Sequence, residues 1–214
     1  MLIERPPKIF RLFFPGCLFR MKGKRREVML TFDDGPIPEA TPEILDILDR
    51  YGIKATFFMV GDNVRKHPEV FEEVKRRGHC IGNHSMHHVQ GILCRTRNYM
   101  ADIAEADAFI GSPYYRPPHG FLRIPQRRRV KEKYHLVMYD LVTRDYSKKV
   151  GAEEVLANVK RLTRPGSVIV FHDSLRSIEK LRKILPEALE WIISQGYTFV
   201  TAEEYFSREA KSKR

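Results

Sequence analysis

An α/β barrel of about seven parallel strands is the fold class that this sequence predicts, and two observations predict it. Between Val28 and Phe206, short apolar stretches alternate seven times with stretches whose apolar residues recur at helical spacing. The polar residues with chemical potential mostly follow an apolar stretch directly, at the carboxyl end of a predicted strand. Seven such units favour a distorted (β/α) barrel, similar to a TIM barrel and incompletely closed. A doubly wound open sheet is the alternative.

The elements follow from local signals. Thr41 is a predicted N-cap, Pro42 suits the first helical turn, and Gly52 ends that helix. Pro186 is expected to kink or divide the long helix near the end of the chain. The predicted strands are 28–32, 54–60, 79–82, 114–116, 135–139, 167–171 and 197–200, and the predicted helices are 41–51, 68–77, 98–110, 123–133, 153–162, 178–195 and one that begins at 203.

The composition is that of a soluble globular chain. Its 214 residues, 43% of them hydrophobic, are enough for one domain with a large core. The net charge of +11 suits an anionic partner, but no zinc finger or basic aromatic-rich stretch points to nucleic acid. Cys17, Cys80 and Cys94 are odd in number and form no CxxC pair, so reduced thiols and a cytoplasmic location are expected.

The N-terminal segment, residues 1–26, differs from the predicted main domain, 27–207, and from the short basic tail, 208–214. It holds eight Lys or Arg and one Glu, and its apolar stretch Ile9–Phe19 is broken by Arg11 and Pro15. That stretch is too short to span a bilayer and lacks the features of a signal peptide. One interpretation is a segment that packs on the domain. The alternative is a peripheral anchor on an anionic membrane, at the inner face of the cytoplasmic membrane.

The stretch Thr31–Pro36 contains two adjacent carboxylates, Asp33 and Asp34, directly after a predicted buried strand. Neighbouring side chains on a regular strand point to opposite faces, but the backbone can turn at the strand end and bring both to one site. Two such close carboxylates would repel each other unless a cation held one of them. We therefore expect one Asp on a metal and the other free as a base. A plain turn built on Asp and Gly is the competing interpretation.

Three histidines, His84, His87 and His88, follow the third predicted strand within five residues. Spacings of three and four residues would place two imidazoles on one side of a helical turn, as in zinc-binding His-x-x-x-His pairs. Two neutral imidazoles and one carboxylate, with positions open to water, form a catalytic rather than a structural zinc site. Asp34, His84 and His88 are the predicted ligands.

A hydrolase also needs a base for water and an acid for the leaving group. Asp33 is the candidate base, and Arg116, at the end of the fourth strand, could hold it ionised. His172, after the sixth strand, is the candidate acid, and Asp145 could orient it and keep it protonated. Asp140 and Asp173 also follow strands and complete the pattern of polar residues at one end of the barrel.

Five stretches together resemble the motifs of the NodB-like polysaccharide deacetylases, carbohydrate esterase family four. They are Thr-Phe-Asp-Asp-Gly-Pro (31–36), His-Ser-Met-His-His (84–88), Arg-Pro-Pro-His-Gly (116–120), Asp-Leu-Val-Thr-Arg-Asp-Tyr (140–146) and Val-Ile-Val-Phe-His-Asp (168–173). The resemblance implies a distorted barrel and hydrolysis of an N- or O-acetyl group on a carbohydrate: a polysaccharide, a glycan precursor or a glycolipid. It also implies the same roles for the residues above and one divalent metal ion, most often zinc, with cobalt or another ion as the alternative.

Three positions depart from the family pattern, and the resemblance places all three at the substrate. His119 stands where an aromatic residue usually lends its backbone N–H to the oxyanion. Tyr146 replaces a Trp of the groove wall, and Phe171 replaces a smaller aliphatic residue beside the acetyl methyl. The competing functions are hydrolysis of a non-sugar amide, a phosphoesterase, and a catalytically degenerate module that binds carbohydrate or membrane. A phosphoesterase would need two metals and more acidic ligands.

Overall fold

The computed structural model of the protein describes residues 4–23 and 25–212. The strands are β1 (Glu27–Asp33), β2 (Thr56–Met59), β3 (Cys80–Asn83), β4 (Tyr114–Tyr115), β5 (His135–Leu136), β6 (Leu141–Val142), β7 (Val168–His172) and β8 (Thr198–Phe199). The helices are α1 (Lys8–Leu12), α2 (Thr41–Arg50), α3 (Gly61–Lys66), α4 (Pro68–Arg76), α5 (Thr96–Ile110), α6 (Ile124–Lys133), α7 (Ala152–Leu162), α8 (Ile178–Ser194) and α9 (Ala202–Lys211). Short 3₁₀ turns lie at Gly91–Leu93 and Pro118–Gly120.

The strands form one parallel sheet in the order β5-β4-β3-β2-β1-β7-β6, and β8 pairs with the first residues of β1. The two ends of this order, β5 and β6, are separated in the chain only by residues 137–140. The sheet therefore curls into a distorted (β/α) barrel, which confirms the predicted fold class. Because all strands run in one direction, their carboxyl ends meet at one face, where the candidate site lies.

The core lies mainly between the sheet and the helices. Phe32 stacks on Phe57 and Phe171, with ring centroids 5.0 and 5.9 Å away, and all three side chains are fully buried. α8 buries an apolar stripe against this layer along its whole length and runs through Pro186 as one helix. A kink or a division was expected at Pro186, and the division is wrong, because tertiary packing outweighs the loss of one backbone hydrogen bond.

Four further features of local structure differ from the sequence prediction. Strand β6 and helix α3 were not predicted, since each is too short to show a periodic pattern. Thr41 is the first helical residue and Ala40 the N-cap; the Thr41 hydroxyl bonds outside the helix. Residues 208–211, predicted as part of a basic tail, belong to α9, and Arg208 Nη1 donates to Glu27 Oε1 at 2.7 Å.

The N-terminal segment divides into two parts. Phe14, Leu18, Phe19 and Met21 are buried, and the Leu18 N–H donates to the Leu136 carbonyl at 2.9 Å. The chain here fills the gap between β5 and β7, so the packing interpretation describes residues 14–21. The preceding helix α1 instead exposes part of its apolar surface. None of the helices in the described residues is long and apolar enough to cross a bilayer.

Candidate active site

The carboxyl end of β1 delivers both aspartates to one cleft. Asp33 is the last residue of the strand and is buried, while Asp34 has a positive φ of 86° that ends the strand alternation. The cleft has a volume of about 510 Å³. Its lining includes Asp33, Asp34, Ile37, His84, His88, Arg116, His119, Met138, Tyr139, Val142, Tyr146, Val170, His172, Leu175 and Arg176.

Arg116 is the partner of Asp33. Its Nη1 donates to Asp33 Oδ1 at 2.6 Å and to Thr31 Oγ1 at 2.7 Å. Its other donors reach the carbonyl oxygens of Val137 and Met138, at 3.2 and 2.9 Å. Burial lowers the pKa of Arg116 and the Asp33 charge opposes that shift, but a guanidinium remains charged under all ordinary conditions. The Asp33 carboxylate is therefore paired with a fixed cation and held in one orientation.

Asp34, His84 and His88 form a separate cluster whose ligand atoms all lie within 4.8 Å of one another. Asp34 Oδ1 lies 3.2 Å from His88 Nε2 and 3.8 Å from His84 Nε2. This oxygen is buried, and no donor among the described residues reaches it with hydrogen-bond geometry. A buried carboxylate oxygen of this kind is costly unless a cation satisfies it.

The protonation of His84 also fits a cation ligand. Its Nδ1 lies 2.8 Å from the Arg116 carbonyl oxygen, so Nδ1 carries the proton and the Nε2 lone pair faces Asp34. Burial lowers the pKa of His84 to about 4, so the imidazole is neutral at neutral pH. Two imidazole nitrogens and one carboxylate oxygen are a donor set suited to zinc, with room for further ligands.

The third histidine of the stretch lies outside this cluster. His87 Nδ1 is 2.7 Å from Asp102 Oδ1 on α5, and its side chain is exposed. The loop is not helical, because Ser85 and His88 have positive φ values of 66° and 53°. The predicted helical turn is therefore wrong. The non-helical loop nevertheless places His84 and His88 together, as predicted.

His172, at the end of β7, is paired with Asp145. Its Nδ1 lies 2.8 Å from Asp145 Oδ1, and its backbone N–H donates to Oδ2 of the same carboxylate at 2.8 Å. Burial alone would lower the pKa of His172. The negative charge of Asp145, and to a smaller extent those of Asp34 and Asp33, instead raises this pKa to about 9. The imidazolium is thus the form that Asp145 stabilises. A protonated histidine in a cleft is a suitable proton donor.

Sequence reasoning missed a set of supporting residues. Asp173 is buried and accepts hydrogen bonds from the Gly35 N–H at 3.0 Å and the Thr41 hydroxyl at 2.7 Å. Burial raises the pKa of Asp173 to about 8 against these hydrogen bonds. Asn63, on the unpredicted helix α3, donates to the Asp34 carbonyl at 2.7 Å. These contacts hold the turn that carries both aspartates. The one sequence signal for such close packing is the glycine at position 35.

The structure corrects the prediction for Phe171. Side chains alternate along β7, so His172 and Val170 face the cleft and Phe171 faces the helical layer, where it is fully buried. An acetyl group in the cleft would not touch it. The apolar wall of the cleft is formed instead by Tyr139, Val142 and Val170, which pack together.

The other predicted substrate residues do line the cleft. The Tyr146 ring lies 4.6 Å from the His172 ring, and His119, with a positive φ of 59°, lies 4.6 Å from the His88 ring. Asp140 does not line it, because it precedes β6 and lies at the amino end of β7, where its N–H donates to the Val168 carbonyl at 3.0 Å. Its carboxylate accepts hydrogen bonds from Arg11, at 2.6 Å, and from Arg164, and neither of these residues lines the cleft. Asp140 therefore fastens the N-terminal segment to the barrel.

The fold and the cleft together define a (β/α)-barrel hydrolase with a paired carboxylate, a paired histidine and an Asp-His-His group that could hold a cation, at the carboxyl ends of its strands. The chain belongs to the polysaccharide deacetylase family, whose model matches residues 20–152. A peptidoglycan-N-acetylglucosamine deacetylase from Bacillus cereus is 33% identical over 189 residues, which cover 83% of this chain and 86% of that protein. A chitooligosaccharide deacetylase from a Bradyrhizobium species is 30% identical, over 69% of this chain and 71% of the relative.

Solved structures agree with this assignment. The Bc1960 peptidoglycan N-acetylglucosamine deacetylase superposes with a TM-score of 0.79 at 31% identity, covering 92% of this chain and 95% of that one. A family-four pseudoenzyme from Bacillus anthracis has the same TM-score of 0.79 at 22% identity, covering 89% of this chain and 69% of that one. The latter likeness shows the fold alone, and since fold does not determine activity, function has to be derived from the residues of the cleft.

Proposed function

We propose that this protein is a metal-dependent deacetylase that hydrolyses the N-acetyl group of an amino sugar in a carbohydrate. The observation that carries this proposal is the separation of the two adjacent aspartates. Asp33 is paired with Arg116, whereas Asp34 lies with His84 and His88. One carboxylate is thereby assigned to proton transfer and the other to a cation. Two relatives are named a peptidoglycan-N-acetylglucosamine deacetylase and a chitooligosaccharide deacetylase, and these names support the same substrate class.

Asp34, His84 and His88 would hold one divalent ion, with zinc favoured by the donor set and cobalt as the alternative. When bound, such an ion lowers the pKa of a water molecule and polarises the acetyl carbonyl.

Asp33 accepts the proton of the attacking water, and the Arg116 guanidinium, which donates to Asp33 Oδ1, orients that carboxylate. His172 donates the proton that the departing nitrogen requires when the C–N bond breaks, so the products are acetate and a free amine. Asp145 orients the imidazole through Nδ1 and leaves Nε2 as the donating atom. The backbone N–H of residue 119 is the proposed donor to the carbonyl oxygen, and Tyr139, Val142 and Val170 contact the methyl group.

Acetate release tests this proposal. Wild-type protein and Asp33→Asn would be incubated with chitooligosaccharides, peptidoglycan fragments and O-acetylated sugars, with and without a chelator. We expect the wild type to release acetate from an N-acetylated substrate, and the chelator and Asp33→Asn each to remove that activity. Release only from O-acetylated sugars would contradict the N-acetyl assignment. Chelator-resistant release would contradict the role of the metal.

A further inference from the structure

The largest group of exposed apolar side chains lies beside the cleft, not in it. Nine large apolar side chains are exposed in the described residues, and six of them lie on three segments of the chain. We name this surface the basic apolar face and define it by the following residues: Ile9 and Leu12 on α1 with the following Phe13; Ile92 and Leu93 on the 3₁₀ turn; and Ile124, Arg127, Arg128 and Lys131 on α6 with the preceding Arg123. The six apolar side chains are between 39% and 77% exposed.

Hydrogen bonds from α6 join the three segments into one surface. Arg127 Nη1 donates to the carbonyl oxygen of Phe13, and Lys131 Nζ donates to that of Pro15 at 2.9 Å. On the other side, Arg123 donates through Nε and Nη2 to the Ile92 carbonyl, at 3.0 and 2.6 Å. Ile124 and Arg128 are four residues apart on the same helix and so lie on one side of it. The exposed apolar and cationic side chains of the three segments are therefore neighbours on one surface.

The charge of these segments is of one sign. Residues 7–23, 89–101 and 119–131 contain eleven Lys and Arg and no Asp or Glu, a number equal to the net charge of the whole chain. Exposed Ile, Leu and Phe side chains beside cations are suited to binding at the interface of an anionic bilayer. The apolar groups insert at the boundary between headgroups and acyl chains, and the cations remain among the lipid phosphates.

The face also adjoins the mouth of the cleft. Ile92 follows the cleft residue His88 by four positions, and Arg123 follows the cleft residue His119 by the same distance. The Phe10 ring, on the inner side of α1, lies 5.6 Å from the Phe121 ring, close behind His119. A molecule anchored in the same membrane would thus approach the cleft from its rim.

We propose that the basic apolar face docks this protein on an anionic membrane surface. Resting on the proposed function, we further infer that its substrate is an acetylated amino sugar carried on a membrane lipid. The alternative interpretation of the N-terminal segment was a membrane anchor that includes the stretch Ile9–Phe19. Of the large apolar side chains in that stretch, Ile9, Leu12 and Phe13 are the exposed ones. α6 and the 3₁₀ turn supply the remainder of the face.

Vesicle flotation of the full chain tests the docking. The vesicles contain phosphatidylcholine with or without phosphatidylglycerol, and the variants are Leu12→Ser/Phe13→Ser and Arg128→Glu. Ile193→Ser and Lys183→Glu, both exposed on α8, are the matched controls. We expect binding to anionic vesicles only. Arg128→Glu should weaken it by at least roughly fivefold, since each cation near such a surface contributes on the order of 1 kcal/mol and this variant also adds a negative charge. The double variant should weaken it by at least about tenfold, because it removes several buried CH₂ groups. The controls should bind as the wild type.

Equal binding to neutral vesicles, or wild-type binding by the double variant, would overturn the docking. Sedimentation velocity tests whether a second copy of the chain occupies the face instead. If the wild type forms a dimer that the double variant abolishes, and does not bind vesicles, the face joins two copies and the membrane docking is overturned.

Acetate release separates the two proposals. The double variant should keep wild-type release from soluble chitooligosaccharides and lose it from N-acetylglucosamine carried on a lipid in anionic vesicles. Vesicle binding without release from any substrate would overturn the proposed function and leave the docking standing.

Discussion

Arg116 Nη1 lies 2.6 Å from Asp33 Oδ1, and both side chains are buried in the wall of the cleft. The same guanidinium also lies over the Phe58 ring, 4.1 Å from its centroid, so its position is fixed from two sides. Asp34 instead faces the imidazoles of His84 and His88. Two neighbouring carboxylates of equal intrinsic pKa are thereby given different partners, and their chemistry differs for that reason.

The first prediction concerns Asp33. Asp33→Asn removes the proton acceptor but keeps the side-chain volume and one oxygen facing Arg116. We expect a loss of about 10²–10⁴-fold in kcat, the usual range for a general base, with stoichiometric metal retained. Steady-state acetate release and elemental analysis of the same sample measure both quantities. Loss of metal by Asp33→Asn with retention by Asp34→Asn would reverse the two assignments.

The second prediction uses two neighbouring histidines as variant and control. His84→Ala should abolish binding of a divalent ion, because it removes a buried neutral imidazole whose Nε2 faces Asp34. His87→Ala should keep the metal, because His87 pairs with Asp102 on the surface. Isothermal titration with zinc distinguishes the two. Equal affinities in both variants would show that the ligand set is wrong.

The third prediction concerns the turn that carries the aspartates. A Cβ at position 35 would lie 1.8 Å from Asp173 Oδ2, so Gly35→Ala must displace the turn or the carboxylate. We expect a cost of about 1–3 kcal/mol or more, each kcal/mol lowering Tm by about 2–4 °C in a domain of this size. Gly151→Ala is the control, since nothing lies within 4 Å of its Cβ position, and its Tm should change little. A wild-type Tm for Gly35→Ala would mean that Asp173 does not constrain this turn.

What the sequence predicts well is local or depends on residue type. The strand before Asp33 and the order of the polar residues along the chain are sufficient to place Asp34, His84 and His88 together. The rule of alternating faces, applied to Asp33 and Asp34, also places Phe171 in the core once His172 faces the cleft. Alternation along β7 is therefore enough to contradict the prediction that Phe171 contacts the substrate.

What the sequence does not predict depends on contacts between distant parts of the chain. Asp173 acts on Gly35 and Thr41, more than a hundred residues away, and no periodic pattern marks that pairing. Asp140 and Asp145 belong to the same predicted loop, yet Asp140 precedes β6 and binds Arg11 and Arg164, whereas Asp145 follows β6 and binds His172. The strand between them has two residues and shows no periodic pattern, so the sequence does not separate the two aspartates.

The last prediction concerns the pH dependence that His172 and Asp145 impose. The amine of an N-acetyl sugar departs poorly without a proton, so turnover requires His172 in its charged form. The Asp145 carboxylate raises the pKa of His172 to about 9 against the effect of burial, which lowers it. The acid is therefore present at neutral pH, and kcat should fall as the pH rises through the pKa of His172.

In Asp145→Asn the charge that raises this pKa is gone while burial remains, so the alkaline limb of kcat should move to lower pH. Metal content should be unchanged, because Asp145 does not contact Asp34, His84 or His88, and the two proteins are compared at the same saturating zinc. His172→Ala should remove the limb and lower kcat by about 10²–10⁴-fold. The kcat for an O-acetyl substrate should fall less in His172→Ala, since an alkoxide departs more easily than an amide nitrogen. Persistence of the alkaline limb in His172→Ala would show that a different group donates the proton.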